Sequence, residues 1–344
     1  MRRVKLLFAP RLEIEFTDRE EAIQQVKEFA EEGTRLPVVV FGPEGCGKTS
    51  WLKQAVEVLK ELGFDTIYID PVRKDYVAYT DVRGIFDRLS EVTAEAIGVA
   101  QVKLATLAID LAKELIGRWR KRRIAILVDD VFQAIGLEKA ETYVKSLLGL
   151  IEYPPASYEK IVAVVATSEG ITRERVGRHR WAELRAMWNM YREGFGKLYE
   201  QIRKRASGSI PSFESIWMLT GGNPGILAQL YKANWDVNAV IITLIEDRKL
   251  TSSFINKWRR WLEEAVRDPD ILWGTDTPEE LVNELIARNL IIYNMHKRIK
   301  LRWIDQPPSE RDPELGIGRY AAWQTPLHRE AVRRAVEEYK ASVV

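Results

Sequence analysis

The chain has 344 residues, 46% of them apolar and 30% charged, so it is long enough for roughly two or three compact domains that each bury a core. Its 52 Lys and Arg residues nearly balance its 50 Asp and Glu residues, which excludes a global field that would draw it to nucleic acid or to an anionic membrane. One cysteine and three separated histidines exclude a disulfide framework and argue against a metal enzyme.

The sequence carries no evident targeting signal. Its longest uncharged stretch, Ser215 to Tyr231, is broken by Gly-Gly-Asn-Pro and is too short to span a bilayer. The N-terminal residues lack the apolar core of a signal peptide. We therefore expect a cytoplasmic protein without a membrane partner.

The first predicted helix covers Arg19 to Glu32. Thr17 or Asp18 can cap its N-terminus, apolar residues recur on one face, and Gly33 ends it. The apolar run from Val38 to Phe41 then predicts a buried strand that leads into the next motif.

Between that strand and a predicted helix from Lys48 to Leu62, the residues GPEGCGKT match the spacing G-x-x-x-x-G-K-[ST]. Glycines let such a phosphate-binding loop curl until its N–H groups point at a triphosphate, and the helix adds its positive N-terminal end. Lys48 is expected on the β and γ phosphates and Thr49 on Mg²⁺. The predicted nucleotide contacts are Gly42, Pro43, Glu44, Gly45, Cys46, Gly47, Lys48, Thr49 and Ser50.

A second chemical motif ends the apolar run from Arg123 to Asp130. The run predicts a buried parallel strand whose carboxyl end reaches the ligand crevice. Asp129 would act on Mg²⁺, usually through water, and Asp130 would orient or deprotonate the attacking water. The alternative is a solvated Asp-Asp turn without a catalytic role.

The run from Ile161 to Ser168 predicts another buried strand, which ends in hydroxyls. Thr167 or Ser168 would hydrogen-bond the γ-phosphate or the lytic water, although both residue types are also ordinary at turns. A strand from Thr66 to Asp70 and two helices between Asp81 and Arg120 are predicted upstream.

The densest local positive charge lies in the segment Thr172 to Arg180. It has three interpretations: an arginine finger on the γ-phosphate, a nucleic-acid patch, or a solvated basic loop. Residues Trp181 to Tyr199 are rich in aromatic residues and are expected in the core, with a short strand at Lys197 to Ile202. A polar linker, Lys204 to Ser212, follows.

The last part of the chain has the order of elements of a winged helix. One predicted helix runs from Ser252 to Arg267, capped by Ser252 or Ser253, and another begins at Thr277. The predicted hairpin strands are Leu290 to Asn294 and Ile299 to Trp303. The helix before the hairpin is acidic, which argues against reading of a DNA groove, whereas the basic hairpin leaves a wing contact to DNA open. Pro326 to Tyr339 predicts a final helix.

Together these motifs resemble the archaeal ATPases of the STAND class of P-loop NTPases, which are related to AAA+ proteins. The resemblance rests on Phe16–Glu20, Gly42–Thr49, Asp129–Asp130, Thr167–Ser168 and Gly222–Pro224. It implies an α/β fold with a P-loop NTPase core, a parallel sheet in the order 5-1-4-3-2, a helical lid and a C-terminal winged-helix domain. We predict the core at residues 1–205, the lid at 206–247 and the winged-helix domain with its C-terminal helix at 248–344.

The resemblance also implies roles for single residues. Pro224 would touch the adenine or its ribose from the lid, and Phe16 to Arg19 would line the base pocket. Glu169 stands where related switches often have arginine, so Arg173 and Arg175 are the nearest substitutes.

The implied function is that of a regulatory ATPase that binds Mg²⁺ and ATP or ADP and acts as a conformational switch, closed with ADP and open with ATP. Asp130 is one methylene shorter than Glu, so slow turnover is expected. ATP-dependent self-association and a protein partner would fit such a switch. The alternatives are an ATP-dependent DNA-binding protein of the replication-initiator type, which would use the winged helix and basic loops, and a scaffold with permanent ADP.

Overall fold

The structure is a computed structural model that describes residues 2–96, 98–168, 170–206 and 209–343. Contacts between residues divide the chain into two compact units. The first unit comprises Met1–Val4, Arg19–Phe41 and Lys48–Ala186, and the second comprises Lys5–Asp18, Gly42–Gly47 and Met187–Val344. The predicted boundaries of the core, the lid and the winged-helix domain, at 205/206 and 247/248, stay a prediction.

The described strands are β1 (Lys5–Ala9), β2 (Leu12–Glu15), β3 (Val38–Phe41), β4 (Asp65–Asp70), β5 (Asp75–Tyr79), β6 (Arg123–Asp129), β7 (Lys160–Thr167), β8 (Glu183–Met187), β9 (Ile291–Tyr293), β10 (Trp303–Ile304) and β11 (Ala321–Trp323). The described α-helices are α1 (Glu20–Glu32), α2 (Lys48–Glu61), α3 (Arg83–Ala94), α4 (Val99–Gly117), α5 (Val131–Ile135), α6 (Ala140–Glu152), α7 (Gly170–Gly177), α8 (Arg192–Arg205), α9 (Phe213–Thr220), α10 (Pro224–Lys232), α11 (Val237–Asp247), α12 (Ser252–Arg267), α13 (Glu279–Ala287) and α14 (Pro326–Val343). None of these helices combines the length and the apolar composition needed to cross a bilayer.

The sheet of the first unit confirms the predicted order. Its parallel strands follow one another as β8-β3-β7-β6-β4, which is 5-1-4-3-2 when the five are numbered along the chain. Because β3, β6 and β7 are apolar runs buried along most of their length, they suit a sheet that is covered on both faces. The antiparallel edge strand β5, which pairs with β4, was not predicted.

Helices cover both faces of that sheet. On one face, alternate strand residues such as Ile69, Val128 and Val165 pack into an apolar cluster with α3, α4, α5 and α6. On the other face, α1 and α2 pack against each other and contact β7 and β4. This arrangement brings the carboxyl ends of the parallel strands to one edge, where the polar residues that follow them gather.

Three predicted elements are corrected by the structure. The segment Lys197 to Ile202 is not a strand but part of α8, and the fifth parallel strand is β8, inside the aromatic segment. Ser252 and Ser253 do not cap α12; the side chain of Thr251 does, by accepting the N–H of Phe254. The basic segment after β7, for which a solvated loop was one of three interpretations, forms the short helix α7 as far as Gly177.

The second unit contains the β1–β2 hairpin, helices α8 to α14 and the short ribbon β9–β11. α12, α13 and the ribbon give the winged-helix arrangement, and α14 packs on α11 and α12. The hairpin strands differ from the prediction, because β9 pairs with Ala321–Trp323 while residues 300–302 form a 3-10 turn. The wing is therefore a longer and more irregular loop than the sequence indicated.

Candidate functional site

The phosphate-loop motif divides between the two units, with Gly42–Gly47 in the second and Lys48 and Thr49 in the first. Two glycines allow close backbone approach. At Gly45, with φ 77°, a Cβ would lie 2.9 Å from Gly225 Cα, and at Gly42 a Cβ would overlap the carbonyl oxygen of Met187. Larger residues would therefore displace the loop.

The loop is hydrogen-bonded to the start of α10. Gly225 N donates to Gly45 O at 3.0 Å, and Asn223 Nδ2 donates to Glu44 O at 2.9 Å. The other side-chain atom of Asn223, Oδ1, caps α10 by accepting the N–H of Ile226 at 3.0 Å. One asparagine thus joins the helix start to the loop.

Residues from the winged-helix part of the second unit also hold the loop. Glu44 N donates to Gln324 Oε1 at 2.9 Å, and the Glu44 carboxylate pairs with Arg248 Nη2 at 2.7 Å. Asn189 Nδ2 donates to Gln324 O at 2.9 Å and its Oδ1 accepts from Asn223 Nδ2 at 2.8 Å. We call Asn189, Asn223, Arg248 and Gln324 the loop clamp.

Sequence reasoning found only Gly222–Pro224 next to this set and missed Asn189, Arg248 and Gln324. No local pattern marks them, because Gln324 is 280 residues from Glu44. Pro224 is the first residue of α10, directly after Asn223, so the predicted nucleotide contact lies beside the clamp.

A buried histidine lies near the clamp. His328 Nδ1 and Thr325 Oγ1 are 2.8 Å apart, and His328 Nε2 has no hydrogen-bond partner in the described part of the chain. Burial and, to a smaller extent, the positive charge of Arg248 lower the pKa of His328 to about 3. The imidazole is therefore neutral at neutral pH.

In the first unit, Lys48 and Thr49 open α2 and Asp129 ends β6. Burial, followed by the charge of Asp130, raises the pKa of Asp129 to about 7, while the Thr49 hydroxyl and Lys48 oppose the shift. Asp129 Oδ1 accepts no hydrogen bond from any described residue. A hydroxyl beside a carboxylate with one open oxygen fits Mg²⁺, which takes few protein ligands and completes its shell with phosphate and water.

The residues at the carboxyl ends of β6 and β7 lie close together. Asp130 has a left-handed backbone, φ 44°, and its N–H donates to Ala166 O at 3.0 Å. Ser168 Oγ donates to Asp130 Oδ1 at 3.4 Å. Thr167 ends β7 in register with Phe41, the residue before the phosphate loop.

The two candidate arginines lie on α7. The Arg173 guanidinium stacks on the Phe41 ring, 4.5 Å from its centroid, and burial lowers the pKa of Arg173 to about 10. Arg175 is half-buried in the last turn of the same helix. Arg173 therefore stands beside Phe41, the last residue of β3, while Glu169 lies outside the described residues.

The segment predicted to line the base pocket is buried. Phe16 and Asp18 are 5% and 6% exposed, and Asp18 pairs with Lys197 Nζ at 2.8 Å. Asp18 does not cap α1; the residue that precedes the helix, Arg19, has a left-handed backbone and makes no side-chain cap.

A family model described as an ATPase domain predominantly from Archaea matches residues 16–230. No curated protein matches the sequence. Among solved structures, AMPPCP-bound DnaA from Aquifex aeolicus is 14% identical, with a TM-score of 0.37 over 81% of this chain and 80% of that one. A RuvB variant from Thermotoga maritima is 13% identical, with a TM-score of 0.39 over 80% and 87%. The Aeropyrum pernix ORC1 protein in complex with DNA is 12% identical, with a TM-score of 0.33 over 96% and 95%.

Proposed function

Because the chain belongs to the family of ATPase domains found predominantly in Archaea, we propose that it is a Mg²⁺-dependent regulatory ATPase that hydrolyses ATP slowly and acts as a nucleotide-controlled switch. The observation that carries the switch is the loop clamp, which engages the backbone N–H, the backbone carbonyl and the side chain of Glu44. A phosphate-binding loop held in this way cannot change shape without changing its contacts to distant residues.

In the proposed reaction, Lys48 and the loop N–H groups bind the β and γ phosphates. Thr49 and Asp129 hold Mg²⁺, which neutralises phosphate charge when bound. Asp130 orients the attacking water and accepts its proton, and Thr167 hydrogen-bonds the γ-phosphate or that water. Slow turnover is expected because the Asp130 side chain is short and its Oδ1 already accepts a hydrogen bond from Ser168.

Arg173 is proposed to act on the γ-phosphate within its own chain. Its stack on Phe41 keeps the guanidinium next to the residue that enters the loop. Arg175, on the same helix, is the second candidate. A finger supplied to another subunit would require Arg173 to leave this stack.

The switch is proposed to work through Glu44. With ADP bound, the clamp contacts to Glu44 persist, and with ATP bound the reshaped loop releases Gln324 and Arg248. Release frees winged-helix residues for other contacts, and self-association with ATP is one expected consequence. Mass in solution with ADP, with a non-hydrolysable ATP analogue and with neither tests this step.

Lys48→Ala tests the nucleotide site itself. We expect the affinity for ATP and ADP to fall by about 100-fold or more, because the lysine charge on the phosphates is lost. Isothermal titration calorimetry measures it, with Lys60→Ala, an exposed lysine on the same helix, as the control. Unchanged ATP affinity in Lys48→Ala would reject the proposed function.

DNA binding through the wing is a second candidate. Lys297 and Arg302 are exposed there, whereas the Arg298 guanidinium donates hydrogen bonds to the carbonyls of His296 and Gly318. Gel shifts with duplex DNA over a salt series test this candidate, since DNA affinity that depends on phosphate contacts falls steeply as the salt concentration rises. Loss of binding on changing both exposed residues would support it, and no binding at low salt would remove it.

A further inference from the structure

Asp70, the last residue of β4, lies beside Asp129 at the edge of the sheet. β4 and β6 pair in parallel with Ile69 opposite Val128, so the next residues along the two strands are Asp70 and Asp129. In the sequence, Asp70 is only the last residue of a predicted strand. Its position at the carboxyl edge gives it access to the same crevice.

Both carboxylates leave the sheet on the side of α2. Ile69 and Val128 belong to the apolar cluster on the opposite face. Since strand side chains alternate, Tyr68, Asp70 and Asp129 point to the face that carries α2, the helix that begins with Lys48 and Thr49.

Asp129 has one satisfied and one open oxygen. The Tyr68 hydroxyl donates to Asp129 Oδ2 at 3.4 Å, whereas Oδ1 finds no hydrogen-bond donor among the described residues. The residue is 1% exposed. Tyr68 thus occupies one carboxylate oxygen of Asp129 and leaves the other open.

Asp70 repeats this pattern on the neighbouring strand. Its Oδ1 accepts the N–H of Arg73 at 2.9 Å, which closes the turn after β4. Its Oδ2 accepts no hydrogen bond within the described chain, and the Arg73 guanidinium, 3.6 Å away, is 59% exposed. Asp70 is 1% exposed, and the turn provides a hydrogen bond for only one of its two buried carboxylate oxygens.

Buried carboxylates close together are costly unless a cation compensates them. Burial raises the pKa of Asp70, while the N–H and the guanidinium of Arg73 oppose the shift and the charges of Asp130 and Asp75 add a smaller increase. Over the described residues, no group of three or more His, Cys, Asp or Glu side chains could hold a metal ion by itself. Mg²⁺ bound with phosphate needs no such group, because it takes one or two carboxylates and completes its shell with phosphate oxygens and water.

We propose that Asp70 is a second carboxylate of the Mg²⁺ site, facing the cation through its water shell beside Asp129. This proposal rests on the proposed nucleotide site. Asp70 holds water on the hydrated cation, Asp129 Oδ1 faces the same cation, and Tyr68 is a positioning residue that fixes Asp129.

Asp70→Asn tests the assignment, because asparagine keeps an oxygen for the Arg73 N–H and removes the charge. The matched control is Asp75→Asn, which removes the same charge from the residue opposite Asp70, where the carboxylate already pairs with Lys53 at 2.7 Å. Calorimetry of ADP binding in EDTA and over a Mg²⁺ series gives the cation affinity of the complex. Electron paramagnetic resonance with Mn²⁺ measures bound cation directly, without turnover.

We expect Asp70→Asn to weaken Mg²⁺ and Mn²⁺ binding in the ADP complex by about tenfold, as outer-shell ligand changes commonly do. ADP affinity in EDTA and the melting temperature should stay near wild type, and Asp75→Asn should change cation affinity by less than about twofold. Should Asp70→Asn not fold, Asp70→Ser, whose hydroxyl also accepts the Arg73 N–H, is measured in its place.

Cation affinity in the Asp70 variant within about twofold of wild type overturns the assignment, as does an equal loss in Asp75→Asn. These outcomes leave the proposed function standing as long as wild type binds ADP. A wild-type protein that binds neither ADP nor ATP overturns the proposed function itself.

Discussion

The two halves of the phosphate-loop motif are stabilised in different ways. The half in the second unit, Gly42–Gly47, is held by short neutral hydrogen bonds and by close backbone packing, with one ion pair at Glu44. The half in the first unit, Lys48 and Thr49, lies near Asp129, whose pKa is raised by burial and then by the charge of Asp130. The shape of the loop therefore depends on Gly42–Gly47, and its charge environment depends on the residues around Lys48 and Thr49. The two properties can be perturbed by separate substitutions.

The largest expected effect is on packing. Gly42→Ala would place a Cβ onto the carbonyl of Met187, so we expect a loss of about 3 kcal/mol or more in the free energy of unfolding. Chemical denaturation measures it. Gly149→Ala, in α6 with open space around a Cβ, should be neutral or slightly stabilising; an equal loss there would break the comparison.

On the charge side, Asp130→Asn should lower the hydrolysis rate by about 100-fold, because the attacking water loses its base. ATP affinity should stay within about threefold, since Asp130 is not assigned to phosphate binding. Phosphate-release assays and calorimetry measure the two quantities. The control is Asp110→Asn, an exposed acid on α4; full turnover in Asp130→Asn would show that another residue activates the water.

Low pH should lower the free energy of unfolding of the second unit, because His328 takes up a proton more readily in the unfolded chain. The folded pKa of about 3 lies below the ordinary value of 6.5, so the unfolded chain binds the proton first. Stability from this group is complete above about pH 6.5 and is lost as pH falls, by about 2–3 kcal/mol at pH 4.5. Denaturation at pH 7.5 and 4.5 measures it.

His328→Asn keeps an acceptor for the Thr325 hydroxyl and removes the titrating group. The variant should lose less stability than wild type between the two pH values. The same loss in both proteins would mean that His328 is protonated without cost in the folded state.

A smaller effect is expected for Arg173→Ala. Hydrolysis should fall by about tenfold and more than nucleotide binding, because the guanidinium would act on charge that develops at the γ-phosphate. Arg180→Ala, an exposed residue of the same basic segment, is the control. If Arg173→Ala and Arg175→Ala both turn over ATP normally, neither arginine contacts the transferred phosphate.

The smallest effect should come from Gln324→Ala, which removes the acceptor of the Glu44 N–H. One hydrogen bond is worth about 1 kcal/mol, so ADP should dissociate about fivefold faster. Stopped-flow fluorescence with a labelled ADP measures the rate, and Gln133→Ala, exposed on α5, is the control. Unchanged ADP release in Gln324→Ala would separate the clamp from nucleotide exchange.

Elements with strong local signals were predicted well. β3, β6 and β7 are apolar runs that have few alternatives to a buried strand, and the GPEGCGKT spacing located the loop. β8 and β11 were missed, because short strands with mixed composition owe their conformation to the neighbours they pair with. For the same reason Lys197 to Ile202 was assigned to a strand although it lies in α8.

By itself, the sequence determined the buried strands β3, β6 and β7, the phosphate loop and the acids at the end of β6, since each depends on residues adjacent in the chain. The order of the strands was implied by the resemblance to a family, because strand pairing joins residues far apart in the chain. Only the tertiary structure decided which residues hold Glu44 and that Asp70 stands beside Asp129. Asn189, Arg248 and Gln324 carry no local pattern, because a side-chain hydrogen bond depends on distance in space. A buried carboxylate likewise shows its unpaired oxygen only once the strands around it are in register.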